Sequence, residues 1–147
     1  MTGTPGLETS VAESPTHYQW SAPGRRLIVD LSLAVVDDLL RQIMRAFGAA
    51  PRRGVEVGGI LLGTIAGQNP ARVRIEAFEP VACRHAQGPY FLLSHEELDA
   101  MKQAVARWEP SPERPHYALG FYRSHIRQGL FLSETDLAMF DAFFPGP

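Results

Sequence analysis

The sequence predicts a single-domain α/β protein of the α+β kind, a mixed β-sheet flanked by helices. Segments of alternating or continuous apolar character interleave with segments of 3.6-residue periodicity, in the order strand, helix, strands, helix, strand, helix. The chain has 147 residues, enough for one domain with a substantial core and too few for two ordinary ones. Hydrophobic residues make up 45% and charged residues 20%, which places it among folded globular chains.

Residues 1–24 are rich in Thr, Ser, Pro and Gly without apolar periodicity, and read as a flexible leader in which Tyr18 and Trp20 dock near the domain start. The domain proper is expected over 25–147. Arg26 to Asp30 forms a first short strand. From Ser32, which suits an N-cap, Val36, Leu39, Leu40, Ile43 and Phe47 recur three or four apart, so a helix follows until Gly48 and Pro51 end it. Val55 to Ile65 reads as a buried strand, and its Gly58-Gly59 pair implies close approach by another backbone. A turn at Gly67 to Pro70 leads into a half-exposed strand from Arg72 to Phe78, with Val73, Ile75 and Ala77 on one face. His85 to Gly88 is a loop and Tyr90 to Leu93 a further strand. Ser94 followed by Glu97 forms a capping box for a helix from His95 to about Trp108. After a proline-rich loop, His116 to Ser124 is a strand whose period of two sends Leu119, Phe121, Arg123 and His125 to one side. Ser133 to Phe144 is helical, with Leu137, Phe140 and Phe144 on one face.

Charge and cysteine usage narrow the function classes. The formal net charge of -2 gives no bulk affinity for nucleic acid or anionic membrane, and the pairs Arg25-Arg26 and Arg52-Arg53 read as solvated turns. No apolar run reaches the length of a membrane span, and the N-terminus lacks a basic-then-apolar signal pattern. Cys83 is the single cysteine, a half-buried structural thiol with no partner for a disulfide or thiolate metal site. A reducing compartment, the cytoplasm, is the expectation.

Chemistry concentrates in two places: Glu56 ahead of a glycine pair, and Arg123-Ser124-His125 followed by Ser133 and Asp136. Taken singly these residues have ordinary readings: a strand-edge carboxylate, a hydrogen-bonded histidine, a Ser-x-x-Asp capping box. Taken together, VEVGGILLG and GFYRSHIRQGLFLSETD resemble the JAB/MPN (Mov34/PAD-1) domain, whose active members are JAMM zinc metallopeptidases that remove ubiquitin or related tails. The family pattern is a glutamate ahead of a Gly-rich strand, then His-x-His-Pro, then Ser-x-x-Asp, and the likeness runs from about Leu27 to the C-terminus. It implies a cytidine-deaminase-like sandwich. It also implies roles: His125 and Asp136 as zinc ligands, Glu56 as the base that takes a proton from the zinc-bound water, and Ser133 as donor to the developing oxyanion.

Arg123 stands where the family has its first histidine. A guanidinium stays protonated and has no lone pair for a metal. At ~4 Å and an effective dielectric of ~20, two unit charges repel by about 4 kcal/mol, and a dication roughly doubles this. His116 lies seven residues away on the opposite strand face and cannot substitute. Two arrangements remain open: Arg123 bridges Glu56 and Asp136 through its fork of donors, or it swings outward and leaves a weak two-ligand zinc site. Ile126 replaces the family's proline, which loosens the loop but removes no chemistry. The family also has a further core strand after the last helix, where this sequence stops, so a missing C-terminal strand, a fragment, or association through an unpaired sheet edge is expected.

The resemblance therefore implies a catalytically inactive binding or scaffold module without a cofactor, a pseudoenzyme whose partner is a protein such as a ubiquitin-like or sulfur-carrier protein. The alternative is an active zinc-dependent metallo-isopeptidase or peptidase acting on such tails. A third reading, independent of the family, makes Arg123, Ser124 and Arg127 an anion-binding corner near the helix start at Ser133.

Overall fold

The computed structural model describes residues 16–48, 54–126 and 129–144. Eight elements follow in chain order: β1 (His17–Ser21), β2 (Leu27–Ser32), α1 (Leu33–Gly48), β3 (Gly58–Ala66), β4 (Ala71–Val81), α2 (His95–Arg107), β5 (Tyr117–Arg123) and α3 (Glu134–Phe143). The five strands form one sheet in the order β1-β2-β4-β3-β5. β2 runs parallel to β4 and every other neighbouring pair is antiparallel, so the sheet is mixed. The α+β class read from the sequence is the fold observed. Among the described residues no helix is long and apolar enough to cross a membrane.

Helices cover both faces. On one face Ile60 and Leu62 of β3 meet Met101 and Ala104 of α2, all buried, with Phe121 of β5 and Met139 and Phe143 of α3 packed around them. Alternation along β3 makes this possible, since residues two apart share a face. Fully burying side chains such as Ile60 and Met101 contributes about 1.5–3 kcal/mol each. On the other face Tyr122 donates its hydroxyl to Gln42 of α1 at 2.7 Å, and burial pushes that phenol up to about 12 against the opposing effect of this bond.

Several expectations are corrected. Residues 17–21 of the expected leader form β1, paired in register with β2 from His17–Ser32 to Ser21–Ile28; residues 1–15 lie outside the described residues. β1 is a mostly exposed edge strand, so no buried face shows in its sequence. Residues 90–93 run without ladder pairing, because their backbone finds partners elsewhere: Leu92 donates to the Tyr90 carbonyl at 2.9 Å, and Phe91 to a carboxylate described below. β5 is bulged at Leu119, which the pairing with β3 skips, so Ala118 and not Leu119 joins Phe121 at the core. On α3, Leu137 and Phe140 stay largely exposed while Met139, Phe143 and Phe144 pack inward. Burial on β4 alternates as expected as far as Ile75, after which Glu76 is half-buried and bonded to the His17 ring.

Candidate functional site

Glu56 lies just ahead of β3, and Arg123 ends β5. The antiparallel register sets Gly58 opposite Arg123, and the pairing continues past the strands: Ser124 donates its N–H to the Val57 carbonyl at 2.8 Å, and Val57 donates to the Ser124 hydroxyl at 2.9 Å. This register carries Glu56 to the level of Arg123 and His125. The glycine pair has the close approach expected of it. A Cβ on Gly58 would stand 2.6 Å from the Phe91 ring and 2.7 Å from the Tyr122 carbonyl oxygen. The bare backbone thus lets the 90–93 segment close over the site.

α3 begins at the same place. Ser133 is its N-cap, and the expected capping box is present. The Ser133 hydroxyl accepts from the Asp136 N–H at 3.1 Å, and the Asp136 carboxylate accepts from the Ser133 N–H at 2.9 Å. The same box at Ser94 and Glu97 starts α2. Asp136 is buried, so its second oxygen points into the protein and not to water.

Arg123 closes the cluster. Its Nη1 donates to Asp136 Oδ1 at 2.8 Å and its Nη2 to Glu56 Oε1 at 2.6 Å. The side chains of Arg123, Glu56 and Asp136 are 9%, 3% and 3% exposed, so this is an ion triad taken almost wholly out of water. Such groups persist only when their remaining lone pairs find donors. Glu56 Oε1 also accepts from the Phe91 N–H at 2.8 Å, and Oε2 from the Ile126 N–H at 3.2 Å, with the His125 Nδ1 at 3.8 Å. Burial works to raise the Asp136 carboxyl, but the Arg123 guanidinium and the Ser133 N–H and hydroxyl overcome it and hold the group below its ordinary range. Arg123 Nε is buried and has no hydrogen-bond partner among the described residues.

Of the sequence-predicted site residues, Glu56, Arg123 and Asp136 thus meet directly, and the fork of Arg123 spans the two acids. His125 is at the rim, 13% exposed and stacked on Phe131 with centroids 5.3 Å apart. Ser133 serves α3 as its cap and also lines, with Glu56, Arg123, His125 and Phe131, a cavity of about 370 Å³. The donor set does not fit a zinc ion. A fixed cation lies between the two carboxylates, and among the described residues no three His, Cys, Asp or Glu side chains are grouped to hold a metal. An anion-binding corner fits no better, because Arg123 is neutralised by two carboxylates and the start of α3 is occupied by its own Asp136. Arg127 lies outside the described residues.

Three contributors escaped the sequence reading. The Phe91 and Ile126 N–H groups that hold Glu56 are backbone donors, which no residue type announces. His85, in the loop expected over His85 to Gly88, is half-buried and donates from Nε2 to the Glu56 carbonyl at 2.7 Å. Its φ of 55°, unusual for a residue other than glycine, turns the chain there. His95 is exposed, and Cys83 is half-buried as expected, with its thiol 3.6 Å from the Leu92 carbonyl oxygen. In comparisons with known proteins, no family model matches the chain, and no curated protein is significantly similar to it.

Proposed function

We propose that this chain is a JAB/MPN-like domain in which Arg123 has taken over the metal seat, and that it works as a binding or scaffold module without hydrolytic activity. One observation carries the reading: the guanidinium donates to both carboxylates that a catalytic site would leave to the metal and the attacking water. A general base must have a lone pair directed at its proton. Glu56 Oε1 instead has its lone pairs taken by Arg123 and Phe91, and Oε2 accepts from Ile126. The two carboxylates thus find their donors within the protein, as buried acids in a structural core do.

The partner we propose is a protein of the ubiquitin-like or sulfur-carrier class, met in the cytoplasm. The open outer edge of β5 and the exposed Leu130, Phe131 and Leu132 beside His125 support this, since an extended tail can add to a strand edge and bury side chains in adjoining apolar hollows. Zinc measured after chelator-free purification, with an assay for cleavage of ubiquitin-like fusions, tests the reading. The expected result is no stoichiometric zinc and no cleavage. Stoichiometric zinc that disappears in His125→Ala, together with turnover, would establish the metallo-isopeptidase instead.

A further inference from the structure

On the face of the sheet opposite the main core, α1 is only partly covered. This helix buries Val35 and rests through Gln42 against Tyr122, yet four large apolar side chains on it face outward. Leu33 is 37% exposed, Leu40 53%, Met44 66% and Phe47 56%. Their spacing of seven, four and three residues draws one stripe along the helix, the pattern by which two helices pack side by side. A stripe of this kind on a water-facing helix marks an interaction surface.

Charge along the border of the stripe says what covers it. Asp37 and Arg41 flank the stripe on one side, and Arg45 follows a turn later and further round the helix, its Nε donating to the Arg41 carbonyl at 3.3 Å. The acid stands toward the N-terminal half of the helix and the two bases toward the C-terminal half. Such an order is self-complementary when two copies lie antiparallel. A twofold axis through Leu40 sets Leu33 of one copy opposite Phe47 of the other and Leu40 opposite Leu40. The same axis brings Asp37 to a height between Arg41 and Arg45 of the second copy. A parallel pair would set like charges abreast. On its own helix Arg41 already bonds Asp38 at 3.0 Å, while Asp37 has no side-chain partner among the described residues.

We infer that the chain forms a symmetric dimer through antiparallel packing of α1 against α1, a surface distinct from the sheet edges. The interface is isologous, so each stabilising contact occurs twice. Sedimentation equilibrium on the full chain from about 1 to about 200 µM tests this, because oligomerisation follows mass action. The wild-type chain is expected to dimerise within that range, and Leu40→Glu with Met44→Glu to be monomeric with an unchanged circular-dichroism spectrum. Asp37→Arg places three bases together across the axis, and Arg41→Asp with Arg45→Asp places three acids together. Each of these variants should self-associate about tenfold more weakly. Mixed in equal amounts, the two should recover a heterodimer, a result that loss of folding cannot imitate. A monomer over the whole range would overturn the inference, as would a dimer that survives Leu40→Glu with Met44→Glu, the outcome expected of pairing through β1 or β5. Failure of the mixture to recover the dimer would do the same.

Discussion

Arg123 holds two acids that are both out of water, so its removal is felt twice. Arg123→Met keeps much of the volume but leaves Glu56 and Asp136 without their cation, and breaking a buried pair in this way costs about 3–5 kcal/mol. Chemical denaturation should register a loss of that size. Arg123→Lys, which keeps the charge but cannot fork across two carboxylates, should fall between Met and wild type. Acid titrates the same cluster. The Asp136 carboxyl lies below its ordinary range in the folded protein, so its contribution is fully present above the unfolded carboxylate range, about pH 4, and is lost as the pH falls through the folded value. Asp30, lowered chiefly by its bond to Arg72, and Glu97, lowered because the Ser94 and Arg84 N–H groups outweigh its burial, act with the same sign. Thermal stability should therefore fall steeply below about pH 4, and Asp136→Asn should flatten part of that slope while lowering stability at neutral pH.

The elements differ in how plainly their sequences announce them. Ser94 with Glu97 and Ser133 with Asp136 give the starts of α2 and α3, because a cap is a local exchange between a side chain and the N–H groups three residues on. Ser133→Ala should therefore destabilise by ~1 kcal/mol. Because the Ser133 hydroxyl also helps hold Asp136, the variant should shift acid unfolding to higher pH. The period of two along β5 likewise puts Arg123 on the side of Phe121, and His125, just past the strand, lines the same hollow. What periodicity could not supply is the rotation of α3. Its inward direction is set by Asp136 reaching Arg123, which brings Met139 and Phe143 to the core and leaves Leu137 outside. A polar anchor overrides the apolar stripe there. The bulge at Leu119 and the irregular 90–93 segment were hidden for a related reason, since both depend on backbone partners contributed by distant parts of the chain. Gly58→Ala tests that dependence. The new methyl would press on the Phe91 ring and the Tyr122 carbonyl, so it should destabilise by about 1–3 kcal/mol although alanine suits a strand better than glycine.

At the scale of the molecule, the sheet collects the site from four separated pieces: the residue ahead of β3, the end of β5, the start of α3 and the loop over Phe91. The family resemblance implied that Glu56, Arg123 and Asp136 would gather, and left two arrangements of Arg123 open. Folding chooses the inward one, because a swung-out arginine would abandon two buried carboxylates. A definite consequence for metal follows. On the proposed reading zinc has no seat while Arg123 bridges the acids, and Arg123→His should create one from the introduced imidazole together with His125 and Asp136, at a cost in metal-free stability. The most direct measurement is the denaturation midpoint of wild type and Arg123→His with and without excess zinc, since a ligand that binds only the folded state raises its stability by mass action. Wild type should not respond, while Arg123→His should start lower and rise with zinc. A zinc-dependent rise in wild type, or an Arg123→His chain as stable as wild type and indifferent to zinc, would contradict the claim that the guanidinium stands in for the ion.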